Sequence, residues 1–174
     1  MLLHGDLHTG SVMIRHDGSS QSSCRVIDAE FAFVGPFAFD IGLFLGNLFL
    51  AYCAVPGIVK SSEGENSPTA QFAIETRQRQ IQSLLLDTWT NFTTAFRRLW
   101  RDPATHKGDI FPLAVMQNQS STQLTSVDDD CAVVDACCET FLHRLLRDAL
   151  GFAACELLKR MVRVPNRCQR NFHW

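Results

Sequence analysis

Residues 4–11 read His4-Gly5-Asp6-Leu7-His8-Thr9-Gly10-Ser11, and after a short polar turn residues 26–30 read Val26-Ile27-Asp28-Ala29-Glu30. Short apolar pieces occupy residues 2–4, 12–14 and 25–27, and residues 16–20 have the composition of a turn. This pattern predicts a small β-hairpin that carries Asp6, Asp28 and Glu30 to neighbouring strand ends. Because side chains two apart in extended backbone share a face, Asp28 and Glu30 are expected on the same side.

These three carboxylates supply what phosphoryl transfer requires. The reaction uses one carboxylate near the attacking hydroxyl and one or two Mg²⁺ ions held by oxygen ligands. Asp6 suits the first role, and Asp28 with Glu30 suits the second. A different interpretation takes His4, Asp6 and His8 as ligands of a Zn²⁺ hydrolase, although no further ligand cluster accompanies them.

The remainder of the chain is predicted to be helical. The most apolar stretch, residues 41–55, favours a core helix with Asp40 as its N-cap and Pro56-Gly57 as its end. Such a helix is shorter than the roughly 20 residues that cross a bilayer. Residues 61–67 have the composition of a polar loop.

Two further helices are predicted from apolar spacing. The first helix carries an apolar stripe and a basic cluster that is expected to form a solvated face, and it is predicted to end at Asp102-Pro103. Residues 102–125 are predicted to form a loop, and the second helix is predicted to start near Ser126. The stripe consists of Leu85, Trp89, Phe92, Phe96 and Leu99, the cluster of Arg97, Arg98 and Arg101, and the apolar side of the second helix of Phe141, Leu145 and Phe152. Gly151 is expected at a bend or a close helix contact.

Composition limits the class of protein. The 174 residues fit a single domain over residues 1–174, and 46% hydrophobic with 20% charged residues and a net charge of -2 indicate neither disorder nor a nucleic-acid surface. Seven cysteines without a regular spacing are typical of reduced thiols inside a cell, so we expect a cytoplasmic protein.

The first fifty residues also resemble a known family. The triplet His4-Gly5-Asp6, with Ser11 five residues after Asp6, resembles the catalytic loop of the protein-kinase-like fold in the branch of aminoglycoside phosphotransferases and choline kinases. The Asp-x-Glu pair at 28–30 and the segments 30–36, 40–42 and 46–48 narrow the resemblance to the methylthioribose kinases. Residues 148–160 resemble the late helix of that family, which ends in a basic pair, here Lys159-Arg160 where two arginines are usual.

The resemblance implies a role for each site residue. Asp6 would be the base that orients the attacking sugar hydroxyl, Asp28 and Glu30 would bind Mg²⁺, and Ser11 stands where the protein-kinase-like fold usually has a second metal ligand, Asn. The remaining implied roles are binding of phosphate or substrate by Lys159, Arg160 and His8, and support of the catalytic loop by Asp40 and His4.

The resemblance also implies an architecture and an activity. It predicts a mainly α, kinase-like C-terminal lobe without its N-terminal lobe, a divergent tail over 163–174, and little activity from these residues alone. The implied reaction is phosphorylation of the anomeric hydroxyl of S-methyl-5-thioribose by ATP with Mg²⁺ in methionine salvage, with no nucleic-acid or membrane partner and a possible homodimer. The alternatives are a kinase for an aminoglycoside, choline or homoserine, and a non-catalytic binding module or remnant.

Overall fold

The structure, a computed structural model, describes residues 1–15, 18, 23–63, 68–101 and 127–162. Most of these residues are helical, and the strands and two 3₁₀ turns are confined to the first 34 positions. The elements are β1 (Leu2–Leu3), a 3₁₀ turn (Thr9–Ser11), β2 (Val12–Arg15), β3 (Ser23–Val26), a second 3₁₀ turn (Ala29–Phe31), β4 (Phe33–Val34), α1 (Ala38–Glu63), α2 (Pro68–Arg101) and α3 (Val127–Val162).

Two antiparallel strand pairs frame the N-terminal region. The predicted hairpin is confirmed, because β2 pairs with β3 from Val12↔Val26 to Arg15↔Ser23. A second pair was not predicted: β1 joins β4 through Leu2↔Val34 and Leu3↔Phe33. Both segments with candidate site residues, 4–11 and 27–32, therefore lie between the two strand pairs.

Helix α1 differs from its predicted bounds at both ends. It begins at Ala38, so Asp40 lies inside the first turn, and the predicted N-cap role of Asp40 is wrong. Its carboxylate instead accepts hydrogen bonds from backbone amides outside the helix.

The predicted end of α1 at Pro56-Gly57 is also wrong, since the helix continues to Glu63 with Pro56 inside it. Proline removes the backbone donor that would bond the carbonyl four residues earlier, that of Tyr52. The side chain of Gln78 on α2 donates to this Tyr52 carbonyl at 3.5 Å, which offsets part of the loss. Residues 61–63 of the predicted loop are therefore helical, and 64–67 lie outside the described residues.

The full length of α1 overturns the length argument against a membrane span. In the described part of the chain, Ala38–Ser62 is long and apolar enough to cross a bilayer, a test that the core helix of a globular protein also passes. Val55 and Val59 of α1 are buried together with Ala70 and Ile74 of α2. This packing favours the predicted core helix.

The chain divides into two compact units. Among the described residues, the first consists of 1–85 and 145–162, and the second of 86–101 and 127–144. In the first, α1 meets α3 at Gly42, where an added Cβ would lie 2.5 Å from the Ala149 carbonyl oxygen and 2.6 Å from the Phe152 Cβ. The predicted close contact at Gly151 is wrong, because nothing lies within 4 Å of a Cβ built there.

The second unit is held by aromatic rings and ion pairs between α2 and α3. Phe96 stacks on Phe141 with ring centroids 5.4 Å apart. Trp100 is buried and Leu99 is exposed, so the predicted stripe is wrong at its last position, where the helix turns the larger ring inward.

The basic cluster on α2 was predicted to be a solvated face, but two of its arginines bind carboxylates on α3. Arg97 donates to Glu139 at 2.6 and 2.9 Å, and Arg101 donates to Asp135 at 3.0 and 2.8 Å. The hydrogen bond with Arg97 lowers the pKa of the Glu139 carboxyl. Both arginines therefore join the two helices, because the carboxylates on α3 lie opposite them.

Candidate functional site

A buried carboxylate fixes the start of the loop at residues 4–11. Asp40, on the first turn of α1, accepts from the His4 amide at 2.6 Å and from the Gly5 amide at 3.0 Å, one bond to each carboxylate oxygen. Hydrogen bonds to an ionised acceptor are about twice as strong as neutral ones. The helix thus anchors the loop directly before Asp6.

The side chain of His4 links the loop to the segment before Asp28. Its Nε2 lies 2.8 Å from the Ile27 carbonyl, which can only accept, so the proton belongs on Nε2. Its Nδ1 then accepts from the Asp6 amide at 3.3 Å. The amide of Ile27 donates to the Ser11 carbonyl at 2.9 Å, so Ile27 is bonded to both ends of the loop.

Gly5 brings the loop against the 3₁₀ turn at 29–31. Its backbone has φ +87°, which favours glycine, and a Cβ at this position would lie 2.0 Å from the Phe31 carbonyl oxygen. A side chain here would push Phe31 away. The loop containing Asp6 and the turn containing Glu30 are therefore in direct backbone contact.

Extended backbone was predicted around Asp28, but the structure has a turn there. Asp28 has φ 64° and ψ 44°, in the left-handed region, and Ala29–Phe31 forms a 3₁₀ turn. Asp tolerates this conformation better than most residues, and the chain uses it to turn from β3 towards β4. Asp28 and Glu30 are both exposed, so their carboxylate oxygens are open to solvent.

Asp6 itself has a fixed backbone and an accessible side chain. Its carbonyl accepts from the Ser11 hydroxyl at 3.1 Å, while its carboxylate lies 3.6 Å from Nε2 of His8 and the side chain is 44% exposed. Ser11 is buried, and this bond uses its hydroxyl proton within the loop. The imidazole of His8 accepts from the Gly10 amide at 3.0 Å, as a partner of its own turn.

The zinc interpretation gains no support from this geometry. No group of three or more His, Cys, Asp or Glu side chains is close enough to hold a metal ion within the described ranges. The ring nitrogens of His4 and the Nδ1 of His8 are used in hydrogen bonds to the backbone. The donor set of Asp28 and Glu30 suits Mg²⁺, which proteins commonly bind through one or two carboxylates plus substrate phosphates.

The basic pair on α3 is engaged by a residue that the sequence analysis missed. Buried Glu156 accepts from Lys159 Nζ and from Arg160 Nε, each at 2.8 Å. Burial raises the pKa of the Glu156 carboxyl, but its hydrogen bonds to the two cations outweigh this, so the pKa lies below its ordinary value. The spacing of three and four residues was the available signal, because such positions are neighbours on a helix.

Comparison with known proteins identifies relatives for nearly the whole chain. The methylthioribose kinase of Erwinia tasmaniensis is 34% identical over 161 residues, which are 92% of this chain and 31% of that protein. The methylthioribose kinase of Escherichia coli O45:K1 is 36% identical over 92% of this chain and 32% of its own length. Methylthioribose kinase 1 of Oryza sativa subsp. japonica is 32% identical over 95% and 32%. No protein-family model matches the chain.

The chain thus spans about a third of the length of the curated relatives it matches. Over that third the predicted resemblance to methylthioribose kinases is confirmed, and the mainly helical architecture with a small hairpin agrees with the kinase-like C-terminal lobe that was predicted.

Proposed function

We propose that this chain, as a relative of the methylthioribose kinases, contributes the substrate-orienting and metal-binding part of an ATP-dependent kinase for the anomeric hydroxyl of S-methyl-5-thioribose. The observation that carries the proposal is the set of hydrogen bonds that join the 4–11 loop to Ile27 and Asp40. These bonds keep Asp6 and the segment 28–30 side by side without using any of their three carboxylates.

In this proposal Asp6 orients the sugar hydroxyl and accepts its proton as the hydroxyl oxygen attacks the γ-phosphorus of ATP and the bond from that phosphorus to the leaving ADP breaks. The backbone of Asp6 is held at its amide and its carbonyl, while the carboxylate faces solvent, where a substrate can reach it. Positioning and electrostatic stabilisation supply most of the catalysis in phosphoryl transfer, so a rigid loop with an accessible carboxylate suits this role.

Asp28 and Glu30 would hold Mg²⁺, and when bound the ion would neutralise charge on the phosphates. Ser11 remains a candidate third ligand by resemblance, although its buried hydroxyl donates to Asp6 here. The left-handed backbone of Asp28 directs this segment away from β3 before Glu30, so both carboxylates remain outside the strand pairing.

Lys159 and Arg160 would stabilise charge on the transferring phosphoryl group. Glu156 binds Arg160 through Nε and leaves the outer guanidinium nitrogens free of that bond, and Lys159 uses one of its three ammonium protons. The pair therefore retains donors for an anion while Glu156 limits its net charge to +1. The proposal also assigns the protein to the cytoplasm and, by family resemblance, to a homodimer.

The test is a kinase assay on the natural full-length product that contains these residues, with ATP, Mg²⁺ and a panel of methylthioribose, choline, homoserine and an aminoglycoside. We expect ADP formation only with methylthioribose. Asp6→Asn should lower kcat by about 10²–10⁴-fold. The control Glu75→Gln, in an exposed ion pair with Arg79 on α2, should leave kcat unchanged. Turnover of another member of the panel would contradict the proposal.

A further inference from the structure

The imidazole of His8 is held in one orientation by its own turn. Its Nδ1 accepts from the Gly10 amide at 3.0 Å, and its backbone carbonyl accepts from the Ser11 amide at 2.9 Å. A Cβ on residue 10 would lie 2.9 Å from Cε1 of the ring and 3.0 Å from Nδ1, so glycine leaves room for the ring to seat. The orientation of the ring is thus set by backbone groups no more than three positions after His8.

This hydrogen bond also assigns the tautomer. Because Nδ1 accepts a hydrogen bond from the Gly10 amide, the neutral ring carries its hydrogen on Nε2. That nitrogen lies 3.6 Å from Oδ2 of Asp6, which is too long for a hydrogen bond but close enough for electrostatic attraction between the ring N–H and the carboxylate. The ring therefore presents a donor to one oxygen of the carboxylate.

The rest of Asp6 is already fixed, so the side-chain torsion is the freedom that His8 can restrict. The Asp6 amide is bonded to His4 and its carbonyl to Ser11, whereas the carboxylate is 44% exposed. An exposed Asp side chain otherwise samples several rotamers. With Oδ2 directed to His8, Oδ1 remains for an incoming hydroxyl.

We infer that His8 is a positioning residue, which holds the Asp6 carboxylate in one rotamer and does not bind the sugar. This inference rests on the proposed role of Asp6 as the base. It replaces the expectation that His8 contacts phosphate or substrate, and it assigns Gly10 the role of making space for the ring.

Two substitutions test the contacts of the two imidazole nitrogens separately. His8→Asn keeps an acceptor at the place of Nδ1, so the bond from Gly10 can persist, but leaves no group that reaches Asp6. His8→Gln extends an amide donor towards Asp6 and gives up the bond from Gly10. His143→Asn, an exposed position on α3, is the control.

The first readout is NMR of the 174-residue chain. Ring ¹⁵N shifts should identify the Nε2-protonated tautomer of His8, and three-bond couplings should show one χ1 rotamer for Asp6. That rotamer should persist in His8→Gln and His143→Asn and become averaged in His8→Asn. A single Asp6 rotamer in His8→Asn would overturn the inference, as would the Nδ1-protonated tautomer.

The second readout is kinetic, on the natural full-length product. His8→Asn should lower kcat about tenfold with little change in the KM for methylthioribose, and His8→Gln should recover most of the loss. A raised KM with unchanged kcat would identify a substrate contact and overturn the inference. If the unsubstituted protein has no kinase activity while the Asp6 couplings respond as expected, the proposed function fails and the positioning of Asp6 by His8 stands.

Discussion

Gly5 is the residue at which the catalytic loop has least tolerance. Gly5 and Gly18 both have positive φ, at +87° and +76°, but only the first would place a Cβ against another residue, the Phe31 carbonyl. Both Gly5→Ala and Gly18→Ala should lower the free energy of unfolding by about 1–2 kcal/mol, because alanine disfavours the left-handed backbone at these positions. Gly5→Ala should lower the free energy of unfolding by about 1–3 kcal/mol more, because the added Cβ forces Phe31 to shift. Urea unfolding of the two variants measures the difference, and equal losses would contradict the contact.

Glu156 makes the stability of the first unit depend on pH. The pKa of its carboxyl is lowered in the folded chain, so the folded state holds the charged form more tightly than the unfolded state does. Its contribution is therefore fully present above the ordinary Glu pKa of about 4.3 and is lost as the pH falls through the lowered value.

Substitution of Glu156 tests this pH dependence directly. Glu156→Gln should cost about 1–2 kcal/mol at pH 7, since the negative charge that strengthens both hydrogen bonds to the half-exposed cations is lost and only one acceptor oxygen remains. The gap between this variant and the unsubstituted chain should be constant above the ordinary Glu pKa of about 4.3 and close as the pH falls through the lowered pKa of Glu156, measured by urea midpoints. Glu75→Gln serves as the control, because an exposed pair with Arg79 contributes little. A gap that stays constant as the pH falls through that lowered pKa would exclude the ion pairs as its cause.

At the scale of elements, the contact of α1 with α3 depends on Gly42 in a way that Gly151 does not share. A Cβ at Gly42 would meet the Ala149 carbonyl and Phe152, whereas Gly151 faces open space. Gly42→Ala should therefore destabilise the chain by about 1–3 kcal/mol through overpacking. Gly151→Ala should stabilise it by about 0.5–1 kcal/mol through helix propensity and reduced unfolded-state entropy. Thermal and urea unfolding measure both, and a loss at Gly151 would show a contact that the geometry lacks.

Sequence predicted the elements whose signals are local. The turn composition of 16–20 between apolar pieces was sufficient for the β2–β3 hairpin, and apolar spacing was sufficient for α2 and α3. The pairing of β1 with β4 joins residues thirty or more positions apart, and strands of two residues carry too little pattern to predict it. Pro56 failed as a helix end, and the Tyr52 carbonyl that it leaves without a backbone donor accepts from Gln78, which lies on another helix.

The candidate site was predictable in its residue types and less so in its connections. The carboxylates of Asp6, Asp28 and Glu30 follow from motif spacing, whereas support of the loop by Asp40 was implied by the family resemblance alone, because residue spacing does not show that α1 packs beside the loop. In the structure α1 starts at Ala38, two residues before Asp40, so Asp40 does not form the predicted N-cap. The left-handed Asp28 followed from no sequence signal, because single Asp residues adopt that conformation only where tertiary contacts require it.

At the scale of the molecule, both N-terminal strand pairs expose large apolar side chains. Leu2 and Val34 are 71% and 78% exposed on one strand pair, and Met13 and Ile14 are exposed on the other. Two-stranded sheets have unpaired edges on both sides and are marginally stable alone. Large exposed apolar patches favour association or aggregation in solution.

We therefore expect the 174-residue chain to self-associate beyond a dimer as its concentration rises, with binding of a hydrophobic dye. Ile14→Lys combined with Val34→Lys should suppress both, because the added charges disfavour strand pairing between chains. Leu86→Lys removes a leucine that is as exposed as Leu2 but lies on α2, and it should leave association unchanged. In sedimentation velocity, open-ended association gives a boundary that broadens and accelerates with concentration, whereas the proposed homodimer gives one limiting species. A single limiting species for the unsubstituted chain would show that the exposed strands do not drive association.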